Sequence, residues 1–134
     1  MRVFVSGQIE EKQSTRIAYL ELEEAGCTIT HDWTRADSIG SIVDNKDEAA
    51  SRAEKDIRGV LDADLYILMS DNVHVGKGMY AELGAAIALK EKTGSPRIVT
   101  VGKRNHPSIF YFHPAVEHFD SMDELIQDIG QPRD

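Results

Sequence analysis

Cysteine is nearly missing from this 134-residue chain. Cys27 stands alone, which excludes an internal disulfide and a cysteine-rich zinc site. One unpaired thiol fits a reducing compartment, so a cytoplasmic location is expected. Positive charge is short as well: 15 Lys and Arg face 23 Asp and Glu, a net charge of −8. A chain of that sign repels phosphate backbones and anionic headgroups, so neither nucleic acid nor a membrane is an expected partner. A small phosphorylated ligand stays open, because backbone amides and helix N-termini bind one against an adverse net charge. No apolar run approaches the ~20 residues that span a bilayer. The opening Met1-Arg2-Val3-Phe4-Val5 lacks the basic-then-apolar pattern of a signal peptide. Internal repeats and low-complexity segments are missing too. With 41% hydrophobic and 28% charged residues, the composition is that of one globular domain, expected over 1–134.

The apolar runs alternate with helical patterns. Residues 3–5 read as a buried strand closed by Ser6-Gly7. Ser14 can cap a following helix whose apolar positions are Ile17, Ala18, Leu20, Leu22 and Ala25, with Gly26 ending it. A second strand is expected at 27–29, then a polar loop over 34–46. Residues 47–61 predict a helix with Ala49, Ala50, Ala53, Ile57, Val60 and Leu61 inward. Residues 64–69 are the most continuous apolar run and the best central strand. A glycine-containing loop over 70–78 leads into a helix over 79–92. Strands at 97–101 and 116–119 follow, then a helix over 122–129 capped by Ser121 and Glu124. This order predicts an α/β three-layer sandwich, flavodoxin-like or Rossmann-like, with a five-stranded parallel sheet and helices on both faces. Ligands in such folds bind at the carboxyl ends of the strands. That selects the loops at 6–10, 31–33 and 70–78.

Glu82 lies about one turn into the helix after the central strand, where the helix dipole keeps a carboxylate ionised. The plainer reading is a surface acid that favours the dipole. Asp56 sits among Glu54, Lys55 and Arg58, and the plainer reading is a solvated face. Asp71 and His74 occupy the loop after the central strand and suit proton transfer, although polar loop residues are common. Gly76-Lys77-Gly78 lacks the spacing of a phosphate-cradling GxxxxGK[ST] loop, and Ser6-Gly7 is only half of a dinucleotide fingerprint. His31, Asp32 and His74 lack metal-ligand spacing, so no metal site is expected. Trp33 can stack on a base or simply pack.

Val3-Phe4-Val5-Ser6-Gly7, Asp56-Ile57 before Ala63-Asp64, and Gly78-Met79-Tyr80-Ala81-Glu82-Leu83-Gly84-Ala85-Ala86 together resemble the nucleoside 2-deoxyribosyltransferase family, which includes the 2′-deoxynucleoside 5′-phosphate N-hydrolases. The likeness covers about residues 2–128. It implies a carboxylate nucleophile at Glu82 and a nucleoside-orienting Asp56. It implies a base-protonating role for Asp71 or His74, although the spacing to Glu82 is longer by about two residues. Ser6, Gly7, Gln8, Trp33, Gly76 and Gly78 fall among the substrate-binding positions, and Ser108 matches a serine supplied by a neighbouring subunit. A homo-oligomer, dimer or higher, is implied, with Ile109-Phe110-Tyr111-Phe112 suited to the contact. No cofactor is implied.

Where phosphate-recognising members read Gly-Ser-Ile-Arg, this chain reads Gly7-Gln8-Ile9-Glu10, and Glu10 repels a phosphate that Lys12, Arg16 or Lys77 can attract. That favours an uncharged nucleoside. The implied chemistry traps the C1′ cation as a glycosyl ester on Glu82, which a second base or water then releases. Three functions follow: a deoxyribosyltransferase-like enzyme, a nucleoside 5′-monophosphate N-glycoside hydrolase, and a nucleotide-binding module without turnover.

Overall fold

The computed structural model describes residues 1–131, so the last three residues of the expected domain lie outside the described residues. Five strands form one parallel sheet: β1 (Arg2–Ser6), β2 (Thr28–Ile29), β3 (Leu65–Met69), β4 (Arg97–Val101) and β5 (Val116–Phe119). Their order across the sheet is β2-β1-β3-β4-β5. Four α-helices connect or follow them: α1 (Lys12–Glu24), α2 (Lys46–Leu61), α3 (Lys77–Thr93) and α4 (Met122–Ile129). This is the expected three-layer arrangement, and its strand order is the flavodoxin-like one.

Strand alternation divides the core in two. Val3, Val5, Leu65, Ile67, Val99 and Val101 meet Tyr19 and Leu22 of α1 and Leu125 of α4. Phe4, Tyr66, Leu68 and Ile98 meet Val60 of α2 and Met79, Leu83 and Ala86 of α3. Leu83 and Ala86 face the sheet as expected. Each fully buried Leu, Ile or Val contributes roughly 1.5–3 kcal/mol.

Two helix faces differ from expectation. In α1 the buried positions are Thr15, Ala18, Tyr19 and Leu22, spaced i, i+3, i+4, i+7, while Ile17 and Leu20 are exposed. Ser14 does not cap it, because a short 3-10 turn (Ile9–Glu11) runs directly into α1. In α2 only Gly59 and Val60 are buried, and Ala50, Ala53, Ile57 and Leu61 are exposed. The cause is close approach: a Cβ on Gly59 would lie 2.7 Å from the Phe4 ring. The contact line therefore runs through Gly59 and, one turn earlier, Asp56. Gly94 ends α3 in the left-handed conformation, φ +88°, where glycine is favoured. Ser121 Oγ accepts the amide of Glu124, while Glu124 reaches back to the amide of Asp120.

Candidate active site

The sheet changes winding direction at β1, which pairs with β2 on one side and β3 on the other. Over that switch point opens a cavity of about 620 Å³. Gly7, Gln8 and Ile9 after β1, and His31, Asp32, Trp33, Arg35, Ala36 and Ile39 after β2, form two sides. Glu48, Arg52, Lys55 and Asp56 of α2 and Lys77, Gly78, Met79 and Glu82 of α3 form the rest. The volume and mixed lining suit a nucleoside-sized ligand.

Glu82 lies within the stripe of α3 that runs from Met79 to Leu83, at the end overhanging the carboxyl edge of the sheet. The buried Ser6 hydroxyl donates to Glu82 Oε1 at 2.6 Å. Asp56 reaches the same carboxyl from α2 and hydrogen-bonds to it. Burial, with the Asp56 charge added, pushes Glu82 up to about 8 against the pull of Ser6. Burial raises Asp56 as well, while His31, Glu82 and Arg52 draw it back. The two carboxyls hold one proton between them at neutral pH, because two charges this close in a half-buried site cannot both ionise. The expectation of an ionised, dipole-stabilised Glu82 is thereby corrected: desolvation outweighs a dipole worth under about 1 kcal/mol at exposed positions.

The first-loop residues are held tightly. Trp33 Nε1 donates to the carbonyl of Val5 at 2.7 Å, which anchors the indole over the end of β1. A Cβ on Gly7 would lie 2.6 Å from Thr15 Oγ1 and 3.2 Å from the Trp33 ring. Asp32 accepts the amide and hydroxyl of Thr34 and ion-pairs with Arg35. Burial opposes ionisation of Asp32, but those hydrogen bonds outweigh it and hold the carboxyl below its usual range.

Not every expected residue reaches the cavity. Asp71 and His74 do not line it. Their loop turns toward α1, because the Glu11 carboxylate accepts the amides of Val73 and His74, at 2.9 Å and 3.1 Å. Asn105 Nδ2 donates to the carbonyl of Asp71 and fixes the loop from the other side. The expected contribution of 70–78 thus shrinks to Gly78 and Lys77. Gly76 sits behind them, where a Cβ would lie 2.6 Å from Met79 Sδ. Ser108 caps the 3-10 turn Ile109–Phe112 of its own chain, accepting the Phe110 amide at 3.2 Å, and does not line this cavity.

The sequence pointed to Lys77 as a phosphate partner but not to Arg35, Arg52 or Lys55. Arg35, Arg52, Lys55 and Lys77 line the cavity, whereas Glu10 is exposed and is not part of it. Glu10 does not face the cavity, so its charge does not favour an uncharged ligand. Arg52 is held by Glu48 at 2.9 Å and by the carbonyl of Asp37 at 2.7 Å. Its place on the same helix face as Asp56, four residues away, was the signal available in the sequence. Among the described residues, no group of three or more His, Cys, Asp or Glu could hold a metal ion, and no helix is long and apolar enough to cross a membrane.

No protein-family model matches the chain, and no curated protein does. Solved structures do. A CMP N-glycosidase from Clostridium botulinum, BcmB, superposes with a TM-score of 0.60 at 20% identity, over 98% of this chain and 100% of its own. A conserved protein from Enterococcus faecalis V583 superposes with a TM-score of 0.57 at 13% identity, over 96% of each chain. At those identities the likeness is one of fold.

Proposed function

We propose that this protein cleaves the N-glycosidic bond of a nucleoside 5′-monophosphate, with Glu82 as nucleophile. The observation that carries the proposal is the Glu82–Asp56 carboxyl pair, seated on Ser6 at the floor of a nucleoside-sized cavity. The BcmB structure, a CMP N-glycosidase by name, supports the same reading through its fold. Breaking a C1′–N bond builds positive charge at C1′, and a carboxylate beneath that carbon stabilises the charge and traps it as a glycosyl ester. Ser6 aims Glu82 Oε1, and Asp56 holds the proton that Glu82 must lose. The base departs with the C1′–N electron pair and takes its proton from solvent water, and the hydroxide left behind neutralises the proton that Glu82 gave up. Water then attacks C1′, and the ester bond breaks back to Glu82.

The four lining cations favour a phosphorylated ligand over the bare nucleoside. Transfer to a second base uses the same ester and differs only in what attacks it. A homo-oligomer belongs to this reading: Ile109, Phe110 and Phe112 are exposed beside Ser108 and suit a second copy. A second reading, nucleotide binding without turnover, is favoured by one observation: Asp71 and His74 do not line the cavity.

The test is chromatography of free base released from CMP, other 5′-monophosphates and the matching nucleosides, with and without an acceptor base. Release by the wild type that falls at least 10³-fold in Glu82→Gln is expected. Undiminished release in that variant overturns the assignment. Stabilisation by nucleotide with no product supports the binding reading.

A further inference from the structure

Asp56 has a neighbour that the chemistry above leaves unused. His31 Nε2 stands 3.6 Å from Asp56 Oδ1, and the two side chains are 28% and 27% exposed. The imidazole comes from the turn after β2 and packs on α2 where Gly59 leaves room: a Cβ there would lie 3.1 Å from the His31 Cβ. His31 also stands in the wall between two spaces. It lines the cavity over Glu82, and it lines the open groove along the outer side of α2 with Thr30, Ile57 and Leu61. Ser6, Glu82, Asp56 and His31 therefore make one polar chain from the buried cavity floor to a solvent-filled groove.

The reaction needs such a chain. The free pair carries a proton that must leave before Glu82 can attack, and the water that opens the ester releases another. The cations of the cavity are poor receivers, since a guanidinium or ammonium is already fully protonated. An imidazole takes up and gives back protons near neutrality.

We propose that His31 is the proton exit of the carboxyl pair, taking the proton that leaves Asp56 and releasing it through the α2 groove. This rests on the N-glycosidase reading. Before attack, the shared proton passes from Asp56 to Nε2 and on to solvent, leaving Glu82 ionised. In the second half, the water oxygen bonds to C1′ and the ester C1′–O bond breaks with its electron pair returning to Glu82. The water proton goes to Asp56, then to Nε2. The 3.6 Å gap is closed by a turn of the ring or by one water, as catalytic contacts commonly tighten with ligand present. The charged groups lining its two spaces are Glu48, Arg52, Glu54, Lys55, Asp56 and Arg58 of α2, Asp32 and Arg35 near it in the chain, and Lys77 and Glu82 of α3. His31 acts through Asp56, as a positioning residue.

The test compares wild type, His31→Ala and His31→Gln on CMP, or on whichever 5′-monophosphate the wild type cleaves fastest. In His31→Ala, kcat falls roughly 10–100-fold with KM within about twofold, and added imidazole restores part of it. A kcat within twofold of wild type, or a loss that imidazole does not restore and KM follows, overturns the proposal. A ligand-free arm needs no turnover: carbon-13 NMR titration of the carboxyls should place the Asp56 midpoint at higher pH in His31→Gln. An unchanged midpoint overturns it. If the wild type turns over nothing, the N-glycosidase reading falls, and this titration still decides whether His31 governs Asp56.

Discussion

Glu82 is stabilised as an acid in the folded chain and would be an ordinary carboxylate in the unfolded one. Between pH 4.5 and about 8 the folded state therefore holds a proton that the unfolded state lacks. Stability from this group is full below pH 4.5 and is lost as pH rises through about 8. Glu82→Gln removes that dependence: its amide oxygen still accepts from Ser6, and its NH2 can donate to Asp56. Thermal melts should show the variant more stable than wild type at pH 8.5, by about 2 kcal/mol, with the advantage shrinking toward pH 5. A buried carboxyl held against its preferred charge state costs stability, and the neutral isostere recovers it. Glu82 and Asp56 were legible in the sequence only as a resemblance. Position alone described both as surface acids, because nothing in their spacing reveals that α2 and α3 bring them together.

Helix α2 shows the same limit at the scale of an element. Ala50, Ala53, Ile57 and Leu61 belong to a regular apolar stripe, yet they are exposed. The face that packs is the one carrying Gly59, because only a missing Cβ lets the helix reach Phe4. Hydrophobic periodicity cannot signal a contact built on a glycine. Gly59→Ala should overpack that contact and cost about 1–3 kcal/mol in thermal denaturation. The same change moves Asp56, one turn away, so base release should fall with the protein still folded. Strands were far more readable than helix faces. Runs such as Leu65–Met69 are apolar on both sides because helices cover both faces of the sheet, and that signal survives in composition alone. The loop at 70–78 was placed in the chain correctly and oriented wrongly, since its direction depends on the Glu11 carboxylate more than sixty residues away.

For the whole molecule, net charge and local charge point in opposite directions. The chain carries −8, yet its cavity matches four cations to the four acids Asp32, Glu48, Asp56 and Glu82, one of which is neutralised by the shared proton. Lys55 and Lys77 have no ion pair among the described residues. Their joint replacement by Ala should raise KM for a 5′-monophosphate about tenfold while leaving the nucleoside nearly unchanged, read by steady-state kinetics. The exposed ridge Ile109, Phe110 and Phe112 makes a matching prediction about assembly. Phe110→Asp should shift sedimentation toward monomer if a second copy covers that ridge. By itself the amino-acid order determined the parallel three-layer architecture and the edge of the sheet over which the cavity opens. Alternating apolar runs and helical periods admit few other packings, and winding direction reverses at one strand. Only the tertiary structure decided which charges meet there, because a carboxyl pair, its shared proton and its four cations come from segments whose distances fold into place through contacts that no local pattern encodes.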